Sequence, residues 1–127
     1  MRLPITFSEE SASIRDAMSA IARGVAGAAF AVAADDLLVG VVTDGDIRRA
    51  LLDGALLTDP VKPFIRSNVF VAKSADSRTS ILDLMQARAI SQVPIVNDEG
   101  QLVAVHLLRE LLGRIDRPNM ALILAGG

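Results

Sequence analysis

The sequence predicts an α/β fold in which one small unit, a short sheet with two helices, is written twice and packed about a pseudo-twofold axis. Three observations lead there. Residues 30–42, Phe30-Ala-Val-Ala-Ala-Asp-Asp-Leu-Leu-Val-Gly-Val-Val42, align without a gap on residues 94–106, an offset of 64 residues. A helical periodicity lies upstream of each copy and another lies downstream. The chain is also aliphatic: 51% of its 127 residues are hydrophobic but only 3% are aromatic, the composition of closely packed α/β layers.

In chain order, the extended pieces Pro4-Ile-Thr-Phe7 and Asn68-Val-Phe-Val71 open the two copies. The first helix of each follows, with Ile14, Ala17, Met18 and Ile21 in one and Ile81, Leu84, Met85 and Ala89 in the other at spacings of three or four. Ser11 or Ser13, and Asp76 or Ser77, are placed to cap these helices. Met18 and Met85 read as equivalent positions used for core or dimer packing. The aligned segments each read strand, polar turn, strand. Asn97-Asp-Glu-Gly100 supplies hairpin chemistry in the second copy, and Asp35-Asp36 does so less ideally in the first. Second helices are expected over Asp44 to Leu52 and Leu108 to Ile115, with Ile47, Leu51 and Leu52 matched by Leu108, Leu111 and Leu112. The copies then span residues 1–57 and 69–116, with 58–68 an irregular connector and 117–127 a linker and strand of something further. One unit alone would expose an apolar sheet face, so the pair should fold as one body.

A net charge of −2 gives no overall attraction to phosphate backbones or anionic lipid, which disfavours a nucleic-acid role. The longest apolar run, Val25 to Ala34, is far too short to span a membrane. There is no cysteine and only His106, so neither a thiolate zinc site nor a histidine metal cluster is expected; a cytoplasmic protein fits best. His106 closes a strand with no triad pattern near it and reads as structural. Asp44-Gly-Asp46 matches the short acidic motif of some glycosyltransferases, but Asp44 is more simply a helix-start acid and no metal is expected.

The segment Gly40-Val-Val-Thr-Asp-Gly-Asp-Ile-Arg-Arg-Ala-Leu-Leu52, set in this repeat, resembles the CBS domain, and the chain resembles a CBS pair, also called a Bateman module. The likeness implies a binding site for an adenosyl ligand, with AMP, ADP, ATP or S-adenosylmethionine as candidates. Thr43 would hold phosphate, at a strand end where free backbone N–H groups of the next helix face an anion. Asp46 would accept ribose hydroxyls. Ile90 and Ser91, from the other copy, would enclose the base. Arg48 and Arg49 follow, and adjacent helix residues diverge, so at most one faces a phosphate. In the second copy Leu107 stands opposite Thr43 and Glu110 opposite Asp46, which leaves a weaker second site around Glu110 and Ala26-Gly27. The family also implies a homodimer through the helical faces.

The terminal run Asn119-Met-Ala-Leu-Ile-Leu-Ala-Gly-Gly127 resembles the opening strand and glycine turn of sugar-phosphate nucleotidyltransferases of the mannose-1-phosphate guanylyltransferase kind. The combined expectation is a regulatory nucleotide-binding pair, not itself an enzyme, at the front of such a catalytic domain, with Asp116 to Asn119 as the transmitting linker. The alternative is a structural homodimerisation module whose clefts are vestigial.

Overall fold

The computed structural model describes residues 6–24 and 27–115, the last three of these by backbone alone. The expected terminal strand, the linker Asp116 to Asn119, and Val25 and Ala26 lie outside the described residues. The first repeat comprises β1 (Thr6–Ser8), α1 (Ile14–Arg23), β2 (Ala28–Val32), β3 (Leu38–Thr43) and α2 (Asp44–Leu52). The second comprises β4 (Ala72–Lys73), α3 (Arg78–Arg88), β5 (Gln92–Val96), β6 (Leu102–Leu107) and α4 (Leu108–Ile115). Each repeat builds a three-stranded sheet whose middle strand, β2 or β5, pairs parallel to the opening strand and antiparallel to the closing one.

The repeat extends to hydrogen-bond register. Ala28 pairs with Thr43 and Gln92 with Leu107; Ala31 pairs with Gly40 and Ile95 with Ala104; an irregularity follows at Ala31/Val32 and again at Ile95/Val96. The hairpin turns achieve the same reversal with different chemistry. Gly100 takes φ +82°, whereas Asp35 and Asp36 sit at φ +61° and +62°, a left-handed conformation that Asp tolerates better than most side chains.

Alternation along β2 divides the core. Ala29 and Ala31 face Ile14, Ala17, Ala20 and Ile21 of α1, and Ile47 and Ala50 of α2, in the first core. Phe30 and Val32, on the opposite face, meet Leu102 with Val69 and Val105 around it, in a core shared by the two repeats. That shared core is the burial of two sheet faces which the doubled unit demanded. Hydrogen bonds continue it: the Leu38 N–H donates to the Gly100 carbonyl at 3.1 Å, and the Gln101 side-chain Nε2 donates to the Asp35 carbonyl at 2.9 Å.

Ser13 and Ser77 prove to be the caps of α1 and α3. Four core assignments change, at Met18, Leu84, Ala89 and Leu52. Met18 is exposed (40%) while Met85 is fully buried, so the two are not equivalent; at the repeat offset the mate of Met85 is Ile21. The buried face of α1 includes Ala20 in place of Met18, and that of α3 includes Leu82 in place of the half-buried Leu84. Ala89 is not a helical core position but the cap of α3, at φ +54°. Leu52 is 79% exposed because α2 ends there and turns its last residue off the core face. The segment between repeats is stitched to the first: Val61 is fully buried in its core, and a 3₁₀ turn over Lys62–Phe64 leads to Arg66, which pairs with Val41 of β3.

Candidate functional site

A cleft of about 360 Å³ opens between the repeats. The first contributes Ala28, Phe30, Val41 and Thr43 to its walls; the second contributes Asn68, Val69, Phe70 and the run Ala89 to Gln92 with Pro94. Thr43, Ile90 and Ser91 therefore line one cavity although they are nearly fifty residues apart in sequence. Its walls are apolar at Ala28, Phe30, Val41, Val69 and Ile90 and polar at Thr43, Asn68, Ser91 and Gln92.

Thr43 arrives there because it ends β3 and caps α2. Its extended backbone (φ −112°, ψ 166°) turns the chain into the helix, and its Oγ1 accepts the N–H of Asp46 at 3.2 Å. Asp46 returns the bond, its Oδ2 accepting the Thr43 N–H at 3.0 Å, so the two residues form a capping box. Ile90 and Ser91 are aimed by the end of α3. The left-handed Ala89 reverses the chain, with the Ile90 N–H donating to the Met85 carbonyl at 3.0 Å. The Ser91 carbonyl then accepts the Leu108 N–H at 2.8 Å, which ties this corner to the start of α4.

Asp46 is the third member by chemistry but not by exposure. It is buried, does not line the cleft, and borders a separate surface hollow with Arg49, Ala50, Asp53 and Phe64. Its Oδ1 accepts Arg49 Nη2 at 2.6 Å and Arg66 Nη2 and Nε at 2.7 and 3.0 Å. Burial alone would raise its pKa. The Thr43 backbone N–H, the Arg66 hydrogen bond, the Thr43 hydroxyl and the Arg66 charge together outweigh that and hold the carboxyl below its ordinary range. Of the two neighbouring arginines Arg49 turns to Asp46 and Arg48 stays exposed.

The second candidate site is less developed. Gly27, at φ +73°, accepts the Asp44 N–H with its carbonyl at 2.9 Å, the counterpart of Ser91 and Leu108 in the other repeat. Glu110 is exposed, and its Oε1 accepts the Leu107 N–H at 3.4 Å, a long version of the Asp46 to Thr43 bond. Two residues escaped the sequence reading. Phe70 lines the cleft with its ring 4.6 Å from the Arg88 guanidinium, a cation–π contact; its rarity as an aromatic was the available signal. Arg66 lies twenty positions from Asp46, and no spacing rule links them.

The family model described as CBS domain matches residues 1–53 and 61–116. Among curated relatives, an inosine-5′-monophosphate dehydrogenase of Methanocaldococcus jannaschii is 34% identical over 87 residues, 68% of this chain and 17% of that protein. An arabinose 5-phosphate isomerase of Salmonella typhi is 30% identical over 98 residues, 77% of this chain and 30% of that one. The chain thus spans less than a third of the length of these relatives. Among solved structures, a CBS domain protein from Pyrobaculum aerophilum complexed with AMP superposes over the whole chain and 95% of its own, with TM-score 0.71 and 29% identity. Two matched segments, one register repeated at a single offset, and a cleft where the repeats meet have one reading: this chain belongs to the CBS domain family and carries its domains as a tandem pair.

Proposed function

We propose that the pair is a regulatory binding module for an adenine nucleotide, AMP, ADP or ATP, or for S-adenosylmethionine, seated in the cleft between the repeats. The observation that carries this reading is the convergence of Thr43 with Ile90 and Ser91 on one cavity of nucleoside size. Thr43 uses its oxygen as an acceptor within the capping box and retains its hydroxyl proton for a phosphate oxygen. Ile90 covers the base and Ser91 offers it a polar contact. Asp46, buried and outside the cleft lining, acts by holding Thr43 and Arg66 in place, where the family resemblance had implied a direct ribose contact. The 29% identical relative crystallised with AMP supports an adenine ligand. Gly27 and Glu110 form the weaker second site.

Regulation follows only if ligand prefers one arrangement of the repeats, since equal affinity for two states shifts neither. The proposed recipient is an attached sugar-phosphate nucleotidyltransferase, a reading supported by the run Leu124-Ala-Gly-Gly127. The exposed Leu52 at the end of α2, with the exposed Leu56 and Leu57 in the segment beyond it, supports a homodimer through the helical faces, and the cysteine-free sequence supports a cytoplasmic setting. Isothermal titration of AMP, ATP and S-adenosylmethionine tests the core of this reading. At least one should bind, and Ile90→Ala should weaken it roughly tenfold, the worth of about 1.5 kcal/mol of apolar cover. Absence of binding at millimolar ligand would leave a homodimerisation module with vestigial clefts, the reading to which Leu107 and Glu110 lend support.

A further inference from the structure

The nucleotide reading leaves two kinds of ligand open, phosphorylated nucleosides and the sulfonium S-adenosylmethionine. Resting on that reading, we infer that Arg66 decides between them and that the cleft takes a 5′-phosphorylated nucleoside in preference to a neutral or cationic one.

Arg66 and Val41 exchange backbone hydrogen bonds, each N–H donating to the other's carbonyl at 2.9 Å. Directly opposed residues of such an antiparallel pair carry their side chains on the same sheet face. Val41 lines the cleft, and so does Asn68, two residues on; Arg66, opposite Val41, therefore leaves the connector on the cleft side of β3, at the rim beyond the lining residues themselves. From there the guanidinium reaches Asp46, which grips it through Nε and Nη2 on Oδ1 while its Oδ2 holds the Thr43 N–H. A carboxylate thus bridges Arg66 to the backbone of Thr43 and fixes the distance between them.

The charge count points the same way. Arg49 and Arg66 both make their salt bridges to Asp46, so one carboxylate faces two guanidinium groups. The remaining acid of this turn, Asp44, lies beside Gly27 at the start of β2, its Oδ2 at 3.4 Å from where a Gly27 Cβ would stand. Arg66 spends two of its donors on Asp46, and its side chain is 55% exposed, so the rest of its planar fork is open to an anion. A phosphate bound near Thr43 would find that fork already oriented, whereas a sulfonium would meet a like charge.

The test is titration of AMP, adenosine and S-adenosylmethionine into the full chain, at low and at physiological salt, beside Arg66→Ala and Arg66→Lys. AMP should bind at least about tenfold more tightly than the other two, and more weakly as salt rises. Arg66→Ala should remove most of that preference by weakening AMP far more than adenosine, and Arg66→Lys should restore part of it. An AMP-to-adenosine ratio that survives in Arg66→Ala, or S-adenosylmethionine binding wild type as tightly as AMP, overturns the inference. The wild-type comparison holds even if a variant fails to fold. Binding of none of the three removes the nucleotide reading and this inference together, an outcome distinct from equal binding of all three.

Discussion

Gly40→Ala is expected to pry the connector from the first sheet. A Cβ at this position would stand 2.6 Å from Ile65 Cγ2 and 2.9 Å from the Arg66 carbonyl carbon, and nearer still to the Arg66 carbonyl oxygen. Two of those atoms are backbone and have no rotamer by which to escape. Relief requires breaking the two 2.9 Å hydrogen bonds between Val41 and Arg66, about 1 kcal/mol each. It also shifts Ile65, which packs on the first core, at an overpacking cost of about 1–3 kcal/mol. A net loss of about 3 kcal/mol is expected, roughly 12 °C in Tm for a chain of this length. Thermal and urea unfolding followed by circular dichroism measure it. The position matched to Gly40 in the second repeat is Ala104, paired with Ile95 as Gly40 is with Ala31, so the strand itself accepts a methyl group. Ala104→Gly is the control, expected to cost only about 0.5–1 kcal/mol. Unfolding of Gly40→Ala within about 0.5 kcal/mol of wild type would refute the steric account and, with it, the close docking of the connector.

Two further outcomes follow from burial and charge. Met85→Ala should cost about 2–5 kcal/mol in urea unfolding and Met18→Ala less than about 0.5, and the reverse ranking would contradict the burial of α1 and α3. Asp46 has a folded pKa below its ordinary value of 3.8, so its stabilising contribution is complete well above that value and is lost as pH falls through the lower folded one. The Tm advantage of wild type over Asp46→Asn should accordingly be constant near neutrality and shrink below about pH 5; an advantage undiminished down to pH 3 would mean the carboxylate charge is not what Arg66 and Thr43 hold.

Much of this architecture was legible because it is local. The bounds of α2 and α4 and the hairpins follow from periodicity and turn chemistry acting within a few residues, and capping chemistry narrowed the caps to Ser11 or Ser13 and to Asp76 or Ser77, of which the structure uses Ser13 and Ser77. The doubled register followed from a gap-free internal alignment, because strand pairing repeats when side-chain alternation repeats. Thr43, Ile90 and Ser91 were marked by family resemblance and do meet in one cleft. Which face of a helix is buried was a different matter. Ile14, Ala17, Met18 and Ile21 describe an apolar stripe, but β2 presents only alanines to α1, and the close approach this permits buries Ala20 and leaves Met18 outside. The partners of Asp46 were equally hidden. Its bond to Thr43 is a three-residue capping pattern, whereas its bond to Arg66 exists because the connector docks on β3 at a glycine and sets Arg66 opposite Val41. Local spacing specifies secondary structure through the fixed geometry of the backbone; contacts made across a connector depend on how packed layers settle, and only the folded chain contains that information.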